Sequence, residues 1–446
     1  MRRISFGWTL LFIAAMIGGG IGAFFLSARK TSIAREEEPL AGVEKNLLSK
    51  GAELAAIGNC NVCHTKSDGQ AYAGGRPIAT PFGRVYSSNI TPEPQTGIGG
   101  WPQAAFIRAM REGVSRDGRH LYPAFPYDHM AKMRADDIKA VYVFIMTRQP
   151  IRATSPPNEL TFPFSLRTLV AAWKLLFLDR GVLENDPSKT ALFNRGAYLV
   201  EGLGHCGACH TPRNALGAER RDQPYAGGEA DGWTAPALNR AQPAAVPWTA
   251  DRLYAYLRHG SEALHGTVAG PMAPVVHNLS TVPQEEVRAI AMYVAAMAAN
   301  PDAMRLAEAN RAMARARGEE RKAAERDEPE AGAAVYAGAC AQCHGENARF
   351  PAVPALNLSL SSALRLPRPD NSLRIVRGGI QPDGGAGPMM PGFANALSDD
   401  QMVDLLGYLR GHFTDKPLWS GLKEAVRNAN AEPSRIEKAT QETTSQ

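Results

Sequence analysis

The chain has 446 residues, 44% of them hydrophobic, and a formal charge of +5. That length suggests about three domains of ordinary size, and the apolar fraction is ample for their cores. So weak a charge over such a length gives no sign of a nucleic-acid partner.

The first element is apolar. Arg2 and Arg3 precede a run from Ile4 to Leu26, interrupted only by Ser5 and small residues. A stretch of roughly 20 residues is enough to cross a bilayer as a helix. A cleaved signal peptide usually has a shorter apolar core and a small-x-small exit; here Phe25-Leu26-Ser27-Ala28 puts a bulky residue at the −3 position. Residues 1–45 therefore read as a retained transmembrane anchor, N-terminus inside, plus a polar spacer, with a cleaved signal as the alternative. Arg29 and Lys30 on the far side weaken the charge asymmetry.

From there one unit recurs in fixed order. A helical pattern over Asn46–Asn59 leads into Cys60-Asn61-Val62-Cys63-His64, then comes an amphipathic segment Trp101–Gly113 and a last helix Asp136–Arg148. The second round is Ala191–His205, Cys206-Gly207-Ala208-Cys209-His210, Thr249–Gly260 and Gln284–Met297. The third is Gly332–Ala339, Cys340-Ala341-Gln342-Cys343-His344, Asn371–Gly378 and Asp399–His412. Each middle segment closes on a basic residue and a Gly, a helix-end signal. Gly51-Ala52-Glu53-Leu54, Gly196-Ala197-Tyr198-Leu199 and Ala333-Ala334-Val335-Tyr336 read as one position in the leading helices. Tyr142, Tyr293 and Tyr408 read as another in the closing helices. Such recurrence means tandem domains, over 46–152, 186–300 and 331–415. The apolar stripes within them are core packing.

The C-x-x-C-H pattern is the signature of covalent haem c attachment. Two thiols at i and i+3 lie on one side of a helical turn and each can form a thioether to a haem vinyl group. The adjacent imidazole then reaches the iron. All 6 Cys fall in these motifs, and the pairs lie too far apart in sequence to share a four-ligand zinc site. The expected cofactor is three covalent haem c groups, on Cys60, Cys63, Cys206, Cys209, Cys340 and Cys343, with His64, His210 and His344 as proximal ligands. No Cys remains for a disulfide. Covalent haem implies export, so the expected location is the periplasmic side of a bacterial cytoplasmic membrane.

A Met thioether as second axial ligand raises the potential of an electron-carrying haem. The place to look is between the middle and last helices. Met272 in Gly270-Pro271-Met272-Ala273-Pro274 and Met390 in Gly387-Pro388-Met389-Met390-Pro391 are the choices, with Met389 as a spare. In the first domain Phe125 stands where Met390 stands, and Phe cannot bind iron. Met133 is preferred there, with Met130, His129, His120 or an open site as alternatives.

Two segments lie outside the repeat. Within 153–185, Phe164–Leu178 puts Leu166, Leu169, Val170, Trp173, Leu176 and Phe177 on an apolar face and Arg167, Ala171 and Lys174 on a narrow polar stripe. It reads either as a packing helix between domains or as an interfacial helix on the membrane. Residues 301–330, rich in Ala, Arg and Glu, read as a solvated helix or tether. Residues 416–446 read as a polar tail.

The motif order resembles the tri-haem cytochrome c subunits of membrane-bound periplasmic dehydrogenases. The residues that carry the resemblance run from Gly118 to Tyr127 (GRHLYPAFPY), from Asn194 to Leu199, and from Gly204 to Asn214 (GHCGACHTPRN). It implies an all-α fold, three tandem cytochrome c domains after an N-terminal membrane anchor. It also implies a catalytic partner subunit, and ubiquinone or a terminal oxidase as acceptor. Ala235-Pro236-Ala237-Leu238-Asn239, Val246-Pro247-Trp248-Thr249 and Leu264-His265-Gly266 look more like subunits paired with molybdopterin/iron–sulfur hydroxylases of aldehydes or heteroaromatics. A quinoprotein alcohol dehydrogenase or flavoprotein sugar-acid dehydrogenase is the alternative partner. The expected role is an electron relay with no substrate chemistry and no catalytic residue of its own. The rivals are a haem peroxidase, if one iron is five-coordinate, and a freestanding multihaem carrier.

Overall fold

A computed structural model describes residues 30–36, 42, 44–298, 301–317, 330–345, 357–380 and 390–429. The expected anchor and Met389 lie outside the described residues. Among those described, no helix is long and apolar enough to cross a membrane. The chain divides into two compact units. The first holds the described residues up to Asn185 with Glu201–His205 and Ala215–Ala218; the second holds Asp186–Val200, Cys206–Asn214 and those from Glu219 onward.

In the first unit, helix α1 (Lys45–Ile57) leads into the one-turn helix α2 (Cys60–Cys63). A hairpin follows, β1 (Pro77–Thr80) and β2 (Gly83–Tyr86), then α3 (Gln103–Glu112), α4 (Tyr127–Met130) and α5 (Ala135–Met146). Leu54 and Ile57 on α1 and Ile138, Val141 and Ile145 on α5 are all buried. Each such side chain contributes about 1.5–3 kcal/mol relative to leaving it exposed. The two helices cross at Gly51, where a Cβ would collide with the Ala140 carbonyl and Phe144 Cβ, so only Gly permits the approach. Helix α3 stops at Gly113 in the left-handed conformation, φ 58°, the C-terminal device that Gly supplies without a Cβ penalty.

The same construction recurs twice in the second unit. Helices α7 (Ala191–Glu201) and α11 (Gln284–Ala298) meet where Gly196 faces the Ala289 carbonyl and Tyr293 Cβ. Between them in sequence come α8 (Gly207–His210), the hairpin β4 (Gly228–Ala230) and β5 (Trp233–Ala235), α9 (Ala250–His259), the short hairpin β6–β7 (Ser261–Glu262, Gly266–Thr267) and α10 (Met272–Thr281). The last repeat crosses α13 (Glu330–Ala339) over α16 (Asp399–Phe413) at Gly332, against the Asp404 carbonyl and Tyr408 Cβ. Its motif helix is α14 (Ala341–His344) and its middle helix α15 (Asp370–Gly378).

These crossings correct the sequence register. The first-unit counterpart of Tyr293 and Tyr408 is Phe144, because it is Phe144 that lies on the crossing Gly; Tyr142 instead donates its hydroxyl to the Trp101 carbonyl at 2.9 Å. In the last repeat Gly332, not Ala333, occupies the crossing. The helix-rich expectation holds, but the fold is not purely helical. Three small antiparallel sheets are present among the described residues, the largest formed by β1, β2 and β3 (Glu159–Leu160).

Both linkers contain helices, as two of the readings expected. The segment after Asp302 is the helix α12 (Ala303–Ala316), seated along one side rather than solvated all round. Ala309 and Ala312 are buried, and Ala312 shares a cluster with Val246 and Leu360. Small side chains, scored as weakly apolar in sequence, let this helix lie close. Earlier, α6 (Leu169–Phe177) buries Val170 and Lys174 and exposes Leu175 and Leu176 at 78% and 63%. Lys174 therefore faces inward, so the narrow polar stripe is in part buried. Beyond α16, Trp419, Leu422 and Val426 are buried in the last core. The polar tail thus begins later than residue 416.

Candidate functional site

Each C-x-x-C-H motif is a single helical turn. The His64, His210 and His344 N–H groups donate to the carbonyls of Cys60, Cys206 and Cys340 at 3.0, 3.0 and 2.9 Å. Asn59 (φ 51°) and His205 (φ 37°) adopt the left-handed conformation ahead of the first two motifs. That reverses the chain between the leading helix and the motif.

The first two histidines are held alike. His64 Nδ1 lies 2.7 Å from the Ser88 carbonyl, and His210 Nδ1 lies 2.7 Å from the Pro236 carbonyl. A carbonyl only accepts, so Nδ1 carries the proton and Nε2 keeps its lone pair. This is the tautomer a metal ligand needs, with the ring plane fixed by the acceptor behind it. Burial lowers the pKa of both imidazoles, and the hydrogen bond to the carbonyl opposes that only in part.

The surrounding brace is also duplicated. Gly74 and Gly227 N–H groups donate to the His64 and His210 carbonyls at 2.7 and 2.8 Å. Tyr72 and Tyr225 N–H groups donate to Thr65 and Thr211 Oγ1, both at 3.1 Å. Arg76 donates to the Val62 carbonyl at 3.0 Å and Arg213 to the Ala208 carbonyl at 2.8 Å. Sequence reasoning missed these residues. A C-x-x-C-H-T string shared by the first two motifs was a readable signal for the threonines. The backbone acceptors Ser88 and Pro236 leave no side-chain signature at all.

The cysteines fit thioether attachment better than thiolate chemistry. Burial, with the neighbouring Cys adding, pushes Cys60 up to about 12 and Cys340 to about 11. The raised values leave Cys60 and Cys340 with less thiolate, so neither is activated as a redox nucleophile. Among the described residues, none of the six Cys joins a grouping of three ligand atoms close enough to share a metal ion. Paired thiols on one turn beside a neutral imidazole with a free Nε2 are a donor set that fits haem c.

Of the expected distal ligands, Met133 is fully buried at 0% exposure, and its carbonyl accepts from Arg111 at 2.7 Å. Met130 is also buried, on α4. His120 is engaged elsewhere: its Nδ1 lies 3.1 Å from Lys174 Nζ, which also donates to the Gly113 carbonyl at 2.6 Å. Met272 is half-buried and opens α10 rather than sitting in a loop. Met390 exchanges both backbone hydrogen bonds with Ile380, at 2.9 and 3.1 Å. Met390 and Cys340 pack against the same apolar core.

Crossed helices, a C-x-x-C-H turn and a neutral imidazole define a c-type cytochrome. Residues 48–149 match the family described as cytochrome c. Residues 327–409 match that described as cytochrome c oxidase, cbb3-type, subunit III. The chain is 34% identical over 409 residues to the fructose dehydrogenase cytochrome subunit of Gluconobacter japonicus, covering 85% of this chain and 82% of that one. It is 34% identical over 382 residues to the gluconate 2-dehydrogenase cytochrome c subunit of Pantoea cypripedii, covering 82% and 85%. It is 45% identical over 396 residues to one of the subunits of the nicotinate dehydrogenase of Pseudomonas putida, covering 87% of this chain but only 32% of that one. The chain thus spans about a third of that relative's length. The chain belongs to the family of cytochrome c subunits of dehydrogenase complexes, and its function is electron transfer.

Proposed function

We propose that the protein carries three haem c groups and relays electrons from a molybdopterin-containing dehydrogenase subunit acting on an aldehyde or heteroaromatic substrate. The acceptor is ubiquinone or a terminal oxidase, at the periplasmic face of the cytoplasmic membrane. The observation that carries the haem reading is the repeated imidazole brace, His64 on Ser88 and His210 on Pro236. Cys60 and Cys63, Cys206 and Cys209, and Cys340 and Cys343 hold the groups. His64, His210 and His344 would supply the imidazole ligands, with Met133, Met272 and Met390 proposed as the sixth ligands. Haem iron, when bound, supplies a one-electron couple; the chain sets its potential through axial ligand and burial. Each Nδ1–H to carbonyl bond stops its ring from rotating, so the ligand atom needs no reorganisation as charge changes.

Support for the partner comes from sequence. The relative of 45% identity belongs to an enzyme that dehydrogenates nicotinate, a heteroaromatic acid, against 34% for the fructose and gluconate subunits. Support for membrane attachment comes from the apolar run Ile4–Leu26 and from exposed Phe162, Leu175 and Leu176. The test is affinity purification from native membranes with haem and metal analysis. Three haems per chain and a co-purifying molybdenum subunit are expected. A partner containing pyrroloquinoline quinone or flavin and no molybdenum would overturn the partner assignment. Peroxide turnover with a five-coordinate first haem would overturn the relay reading.

A further inference from the structure

A hairpin leaves backbone N–H and C=O groups unpaired along its outer edge, and these need cover. In the first unit a third strand supplies it: Gly83 pairs with Leu160 and Arg84 with Glu159. The corresponding hairpin of the second unit, β4–β5, has no third strand among the described residues. Asn371, in the first turn of α15, takes that place. The Thr234 N–H donates to Asn371 Oδ1 at 2.8 Å, and Asn371 Nδ2 donates to the Thr234 carbonyl at 2.9 Å. A carboxamide carries the donor and acceptor of a peptide group, so one side chain mimics a paired strand residue. Arg374 Nε adds a bond to the Gly232 carbonyl at 2.9 Å, and Arg368 reaches Thr234 Oγ1 at 3.1 Å.

The same hairpin, with the residue that follows it, lies against three parts of the second candidate site. Gly228 lies so close to the Cys209 carbonyl that a Cβ would collide with it. Pro236, directly after β5, provides the carbonyl that holds His210. The Trp233 ring lies against Gly270, two positions before Met272. Helix α15 belongs to the repeat that contains Cys340, Cys343 and Met390. The hairpin therefore joins the surroundings of one candidate site to the repeat that contains the next.

We propose that β4–β5 is a clamp that sets electron exchange between the second and third haem sites, with Asn371 as its positioning residue. This rests on the reading that both motifs carry haem. Exchange between two centres depends steeply on their separation, so the contact that fixes the separation governs the rate. The Arg368–Glu229 ion pair joins the same surfaces at 2.9 Å, but both side chains are half-exposed, and such pairs contribute little. The reciprocal amide pair is neutral and half-buried, so salt does not screen it.

The test uses the full-length, haem-loaded protein with Asn371→Leu, which removes both bonds at similar volume. Amide hydrogen exchange at Thr234 should quicken about tenfold, equivalent to about 1.4 kcal/mol. Redistribution of an electron between the two haems after flash photoreduction should slow, because the Asn371 pair no longer fixes the separation of the two sites. Absorption spectra and potentials of both haems should stay at wild-type values. Arg374→Met should act in the same direction to a smaller extent, and Arg368→Ala should change neither reading. Faster exchange at Thr234 with an unchanged interhaem rate would overturn the proposal, as would unchanged exchange. A haem count below three would refute the underlying haem reading instead, and the exchange measurement would still report on the docking.

Discussion

Lys174→Met probes the inverted seating of α6. Lys174 is 6% exposed, donates to the Gly113 carbonyl and to His120 Nδ1, and lies 4.7 Å from the centre of the Tyr127 ring. Burial lowers its pKa from 10.5 to about 7, with Glu112 opposing the shift and Arg180 and Lys30 adding to it. Between those two values the unfolded chain binds more protons than the folded one, so stability must rise with pH across the window. Below pH 7 both states are protonated and the burial penalty is fully present; above 10.5 it has gone. One pKa unit is worth 1.36 kcal/mol, so wild type should gain about 2 kcal/mol on Lys174→Met between pH 7 and pH 9. Urea titrations of the haem-loaded protein at the two pH values, with pulsed hydrogen exchange read out in residues 169–177, measure this difference. Parallel stabilities of the two proteins across that range would refute the inward seating of the lysine.

Four further outcomes follow from the geometry. Met133→Ala should change the axial-ligand spectrum of the first haem and lower its potential, whereas Met130→Ala should leave both unchanged; redox titration of each variant checks this. Gly196→Val should destabilise the α7–α11 crossing by about 3 kcal/mol, because the new side chain meets the Ala289 backbone rather than a movable side chain; urea unfolding reads it. Glu286→Gln should cost about 1–2 kcal/mol by weakening the two-bond pair with Arg195, at 2.8 and 2.9 Å, with no change in the haem spectrum. Leu175→Asp with Leu176→Asp, in protein lacking residues 1–29, should reduce the fraction that sediments with vesicles; unchanged sedimentation would count against a lipid-facing α6.

The helices and the haem motifs were legible because both are written in side chains at fixed spacing. The α3 and α9 stops were read from Gly113 and Gly260, which do cap those helices in the left-handed conformation. What was misread turned on partners distant in sequence. Lys174 stood on the polar stripe of a helical wheel, yet the Gly113 carbonyl and His120 that receive it lie more than fifty residues earlier. Tyr142 matched Tyr293 and Tyr408 by residue type, whereas the crossing selects Phe144 by position. The hairpins escaped because strands of three or four residues carry too short an alternation to register. The imidazole acceptors Ser88 and Pro236 escaped because any residue has a carbonyl.

The three repeats are not equal, and the difference lies in how the proximal turn is held. The first two share Thr after His, a Gly N–H on the His carbonyl, and an Nδ1 bond to a carbonyl that follows a hairpin. In the third, Gly345 stands where Thr65 and Thr211 stand, and the His344 carbonyl accepts instead from the Tyr336 hydroxyl at 3.0 Å. Tyr336 comes from the leading helix α13 itself. The family matches also separate the first repeat from the third, residues 48–149 with cytochrome c and residues 327–409 with the cbb3-type family. The hairpin of the first unit is covered by β3, whereas that of the second is covered by Asn371 of the following repeat. The repeat it docks onto adds the Tyr336 bond to its proximal turn and presents Asn371 of α15 to the hairpin.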